Sequence, residues 1–138
     1  MKNRSLITQR KLIAFASVVE ASTGLALMIG PSLVIKLLAG AEASGVTALL
    51  GRCLGIGLLA LGVACWPSGQ RTERNSPGLK SMLIYNMLIA LYFAYLGAAG
   101  QMTGALLWPA ATLHAVVALL LIWAWHSERQ TSTQIDLR

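Results

Sequence analysis

The chain has 138 residues, of which 56% are hydrophobic and only 12% charged, a composition too apolar for an ordinary water-soluble domain. A net charge of +6 could point to nucleic acid, but the placement of the Lys and Arg residues follows a membrane topology instead, so no nucleic-acid partner is expected. A hydrocarbon core of roughly 30 Å takes about 20 apolar residues in helical form. Four windows reach that length, at about 12–30, 46–66, 82–100 and 105–125.

Lys2, Arg4, Arg10 and Lys11 precede the first window. The triplet Val19-Glu20-Ala21 loosely imitates a signal-peptide cleavage site, but apolar character resumes through Ile29, which favours a first span. Gly30-Pro31 ends it, and Pro31 suits the first turn of a short interfacial helix to Ala39, with Leu33, Val34, Leu37 and Leu38 toward lipid and Lys36 toward headgroups. Ala41 to Gly45 is a small flexible connection into the second span. That span carries Cys53 and Cys65, about 18 Å apart along the helix and so unable to pair with each other. Pro67 to Gly78, with Arg71, Glu73 and Arg74, reads as a polar loop, and Lys80 follows it. The turn Gly-Gln-Met-Thr-Gly between the third and fourth spans is uncharged, and 126–138 is a polar, mobile tail with Arg129 and Arg138.

The basic residues therefore concentrate before span one, between spans two and three, and after span four, three segments that share one side. The expected fold is all-α: a single-domain integral membrane four-helix bundle of a bacterial inner membrane, with both termini cytoplasmic and an interfacial helix after the first span. Trp66, Trp123 and Trp125 would mark the inner interface and Trp108 the outer one.

Each span holds one strongly polar residue: Glu20, Arg52, Asn86 and His114. A polar group facing lipid is costly, so each should turn inward, and small residues at three- and four-residue offsets support that orientation. Glu20 and His114 lie about 12 and 14 Å from the near ends of their helices, close to the midplane. Arg52 is expected to reach Glu20, as a structural pair that fixes helix orientation or as a functional pair that tunes a carboxylate. Asn86 caps the centre from below or bonds across helices. Tyr85, Tyr92 and Tyr95 line one side of span three, where Tyr92 is deep enough to need a partner and could face a flat ligand such as a quinone. Gly51, Gly55 and Gly62 form a small-residue seam for packing within the bundle or between copies. His114 and His126 are about 18 Å apart on one helix, and no Glu-x-x-His motif occurs, so neither a metal site nor a catalytic set is expected within the chain.

The stretch from Gly30-Pro31 through Leu50-Gly51-Arg52-Cys53-Leu54-Gly55, with the Leu-rich run to Trp66, resembles the first two spans of small DoxX-like four-helix bacterial membrane proteins. The shared features are a proline-started connection and an Arg followed shortly by Gly, over less than half of the chain. This resemblance implies architecture more than activity. Glu20 within Val-Val-Glu-Ala-Ser-Thr-Gly is also similar in position to the membrane carboxylate of the small multidrug exporters. Arg52, His114 and the one-sided basic residues depart from that family's pattern.

Three functions fit the residues. The first is a noncatalytic component that binds a lipophilic molecule, such as a lipid or quinone, or supports a homo-oligomer or larger membrane complex. The second is a proton-linked carrier of small amphipathic or cationic compounds using Glu20. The third is a quinone- or lipid-acting enzyme with Glu20 and His114 as acid and base.

Overall fold

The computed structural model describes the backbone of residues 2–43, 45–67 and 77–135, and side chains within 7–43, 45–67 and 77–126. Arg71, Glu73, Arg74 and Arg138 lie outside the described residues, as do the side chains of Lys2, Arg4 and Arg129. All regular structure among the described residues is helical: α1 (Lys2–Ile29), α2 (Pro31–Ala39), α3 (Gly45–Ala64), α4 (Pro77–Ala98) and α5 (Leu107–Ile135). Four of these contain stretches long and apolar enough to cross a membrane: Ile7–Ile29, Gly45–Ala64, Pro77–Ala98 and Leu107–His126.

Two boundaries differ from the sequence expectation, for one reason. α4 begins at Pro77 instead of near Met82, and α5 runs on to Ile135, into the segment expected as a mobile tail. Polarity marks where a helix leaves lipid, not where it stops. Pro77 has the fixed φ of a helical first turn, and Lys80 is solvent-facing one turn later while Leu79 and Met82 turn inward. Beyond His126 the sequence Ser-Glu-Arg-Gln-Thr-Ser-Thr-Gln-Ile contains neither Gly nor Pro to break the helix.

Pro31 restricts Gly30 to a non-helical conformation (φ −132°, ψ 61°), which separates α1 from α2. α2 closes on Gly40 in the left-handed region (φ 78°), whose N–H bonds the Lys36 carbonyl at 2.9 Å. The carbonyls that end α2 would otherwise be orphaned. The turn after α4 satisfies two of them: Thr103 N–H donates to Ala39 O (3.1 Å) and Leu106 N–H to Leu37 O (2.8 Å). Gly104 lies so close to the Leu37 and Leu38 backbone that no side chain fits there. α2 and the α4–α5 turn thus share one end of the molecule, the α2 end, with the start of α1 and the end of α5 toward the other, the terminal end.

α1 packs most extensively on α3 and α5 on α4, while α1 also meets α5. α3 and α4 do not pack along their lengths; near the terminal end Gly78 approaches Cys65. The closest approach is between α1 and α3. A Cβ on Gly24 would stand 2.6 Å from the Gly55 carbonyl oxygen, one on Gly55 2.7 Å from that of Gly24, and one on Gly62 2.6 Å from that of Ser17. Gly51 receives Ile35 and Pro31 of the α1–α2 corner. The Gly51, Gly55, Gly62 seam is therefore occupied within the chain. Toward the terminal end Ile13, Ala16, Cys65, Leu79, Met82, Val117 and Leu121 form a continuous apolar layer. Trp108 folds over Gly97 at the α2 end, and Trp66 and Trp123 are exposed toward the terminal end.

Candidate functional site

Glu20, Asn86 and His114 come together from α1, α4 and α5, and all three are buried. On α1 the buried residues Gln9, Ile13, Ala16, Ser17, Glu20 and Leu27 fall along one stripe, because steps of three and four residues return to the same face at about 100° per residue. Glu20 is near the centre of that stripe. Asn86 continues the face of Met82, and His114 that of Ala111, Val117, Ala118 and Leu121.

The contacts define the chemistry. Asn86 Nδ2 donates to the Met82 carbonyl at 2.8 Å, a bond that turns its Oδ1 to His114 Nδ1, also at 2.8 Å. With Asn86 oriented this way Oδ1 accepts, so Nδ1 carries a proton and Nε2 is the imidazole's acceptor in its neutral form. Nδ1 also lies 3.7 Å from Glu20 Oε1. Among the described residues Oε1 has no hydrogen-bond partner. The Tyr85 hydroxyl donates to the Glu20 carboxylate from α4. Tyr85 and Phe93 present edge-on contacts to the His114 ring, with centroid separations of 5.9 and 6.2 Å. The His114 Nδ1–H can thus switch its hydrogen bond between an amide oxygen it already touches and a carboxylate oxygen about 0.5 Å beyond hydrogen-bond reach.

Arg52 does not join this centre. It is exposed on α3, has no ion-pair partner among the described residues, and the expected Glu20–Arg52 pair is replaced by Glu20–His114. The buried face of α3 runs through Gly51, Gly55, Leu58 and Gly62, and Arg52 stands about 90° around the helix from it. Tyr92 is likewise corrected: it is 57% exposed, and Tyr95 60% exposed. Six residues from Asn86, Tyr92 falls about 120° away from it, whereas Phe93 at seven residues returns to within about 20°. That spacing was the available signal for Phe93. Tyr85, adjacent in sequence to Asn86, belongs to the centre through a contact with α1 that spacing on α4 alone does not reveal.

Among the described residues no group of three or more His, Cys, Asp or Glu side chains is placed to hold a metal ion. Outside the spans, Lys36 donates to Glu42, whose carboxylate holds the lysine ammonium above its ordinary range. A shallow, mostly apolar groove of about 300 Å³ runs between α1 and α3, bordered by Ser17, Ala21, Gly62 and Trp66.

Fold and site together define a multi-pass membrane protein with a carboxylate, an imidazole, an amide and a phenol gathered in its interior. Comparison with protein-family models, with curated proteins and with solved structures finds no match for the chain.

Proposed function

We propose that this protein is a proton-linked carrier of small amphipathic or cationic compounds, a four-helix bundle in a bacterial inner membrane with both termini in the cytoplasm. One observation carries the reading: the buried Glu20 carboxylate faces His114 at 3.7 Å instead of a fixed cation. An arginine partner stays charged at all physiological pH and would hold the carboxylate in one state. A histidine partner gains and loses a proton, so the charge of the centre can change by one unit, as coupling to a proton gradient requires. The four hydrophobic helices and the one-sided distribution of Lys and Arg support the topology. The kinship with DoxX-like proteins belongs to this proposal as architecture only.

The test is flux of a fluorescent lipophilic cation across liposomes holding a pH gradient, with the wild type and Glu20→Gln compared at equal incorporation. Gradient-driven flux through the wild type and none through Glu20→Gln is expected. Equal flux through both removes Glu20 as the coupling group.

The groove between α1 and α3 favours a second reading, a noncatalytic protein that holds a lipid or quinone-like molecule. Native mass spectrometry after gentle detergent extraction distinguishes the two, since a retained lipophile without flux supports the second.

A further inference from the structure

The buried polar atoms without a hydrogen-bond partner are unevenly distributed along the molecule. Among the described residues they are both amide atoms of Gln9, the Ser17 hydroxyl and Glu20 Oε1. All three residues are at most 1% exposed, and all lie on the buried stripe of α1. Gln9 is about 16 Å from Glu20 along the helix, toward the terminal end, and Ser17 is one turn from Glu20 in the same direction. On the α2 side of Glu20 the buried side chains are apolar: Leu27, Pro31, Leu107 and Ala111. Orphaned polar groups inside a protein are satisfied by bound water where there is room for it, and a chain of such waters conducts protons.

We propose that protons reach Glu20 from the membrane face that carries the chain termini, along the buried stripe of α1, with Gln9 and Ser17 as polar stations. This deepens the carrier reading and rests on it. Gln9 is the outermost buried station of the route and Ser17 the last before the carboxylate's free oxygen, with water bridging the two. Between them Ile13 and Ala16 of α1, Met82 of α4 and Leu121 of α5 form the apolar layer, with the Cys65 thiol at its edge. That layer is the barrier: it is dry when packed and conducts when transiently wetted, which keeps the bundle from leaking protons continuously. The titratable groups facing the end of the route are Glu20, His114 and Tyr85.

The experiment reads water access directly and needs no transport. In a chain with Cys53→Ser and Cys65→Ala, a thiol is introduced by Ser17→Cys, and by Ala111→Cys as a reference on the other side of Glu20. The protein is reconstituted in vesicles of known orientation. Ag⁺, a cation of hydronium-like size, is applied to one face at a time, and protected thiols are counted by maleimide labelling after denaturation. Protection of Ser17→Cys from the terminal face at least tenfold faster than of Ala111→Cys is expected, with Ile13→Trp slowing it at least tenfold. Faster protection from the α2 face, or a rate equal to Ala111→Cys from both faces, overturns the route. Ala16→Cys, the neighbouring residue on the buried stripe of α1, carries the test if Ser17→Cys does not fold. Protection without Glu20-dependent flux would leave the route standing and reject the carrier reading.

Discussion

Adding one carbon to the α1–α3 seam should cost far more than adding the same carbon elsewhere on α3. In Gly24→Ala the new Cβ would meet Gly55 O and Leu59 N, both at 2.6 Å, and Leu59 Cα at 3.1 Å. All three are backbone atoms, so no side-chain rotation relieves the overlap. Reaching ordinary contact requires the helices to separate by roughly 0.8 Å, and overpacking of this kind typically costs about 1–3 kcal/mol. Gly57 on α3 has nothing within 4 Å of an added Cβ, so Gly57→Ala removes only the flexibility of a mid-helix glycine and should stabilise by about 0.5–1 kcal/mol. The assay is reversible unfolding of both variants in mixed detergent micelles, followed by helical circular dichroism. Gly24→Ala should unfold at lower denaturant than the wild type and Gly57→Ala at higher. Equal midpoints for the two variants would refute the claim that backbone approach, not helix propensity, governs this seam. A loss for Gly24→Ala only at high protein concentration would assign the seam to contact between copies.

Two further outcomes follow from the site. Arg52→Gln should shift the unfolding midpoint by less than about 0.5 kcal/mol, since it breaks no ion pair among the described residues, and should leave Glu20-dependent flux intact; loss of flux would restore Arg52 to the centre. Tyr85→Phe removes a hydrogen bond to a buried carboxylate and should cost about 1.5–3 kcal/mol if that carboxylate is charged, whereas Tyr92→Phe on the exposed face should be neutral, so the two variants compared in one unfolding series test which tyrosine serves the centre.

The four spans were legible as apolar runs long enough to cross a membrane, the short α2 from Pro31 following Gly30, and the inward-facing positions of the centre from local periodicity. Glu20, Asn86 and His114 share their faces with small or apolar residues at three- and four-residue steps, and those steps survive folding. Arg52 was misplaced because Ala48 and Gly55, four and three residues away, were taken to mark its face, although Gly55 belongs to the buried face of Gly51, from which Arg52 is turned by about 100°. Tyr92 was misplaced by depth alone, since a deep position in a span is inward only when its angle agrees. The hydrogen bonds from Thr103 and Leu106 to the end of α2 were illegible for another reason: they join segments more than sixty residues apart and depend on the bare backbone of Gly104. Helix α5 beyond Trp125 was misread because polarity was taken for loss of structure.

The packing divides the spans into two pairs, and the polar centre lies on the division. Glycines bring α1 and α3 to backbone contact, which leaves that pair little freedom to slide. α5 and α4 form the other pair and supply His114, Asn86 and Tyr85, while Glu20 comes from α1. A polar group serving only to fix helix orientation would be expected to have its hydrogen bonds satisfied, since each buried orphan costs about 1–3 kcal/mol. Asn86 and His114 meet that expectation within the second pair; Glu20 Oε1, across the division, does not. A shift of one pair against the other by about 1 Å would bring Oε1 within bonding distance of Nδ1, and the reverse shift would part them. On the carrier reading proposed above, movement between the pairs and the location of the proton would be one coordinate, the mechanical requirement for a carrier whose two faces open in turn.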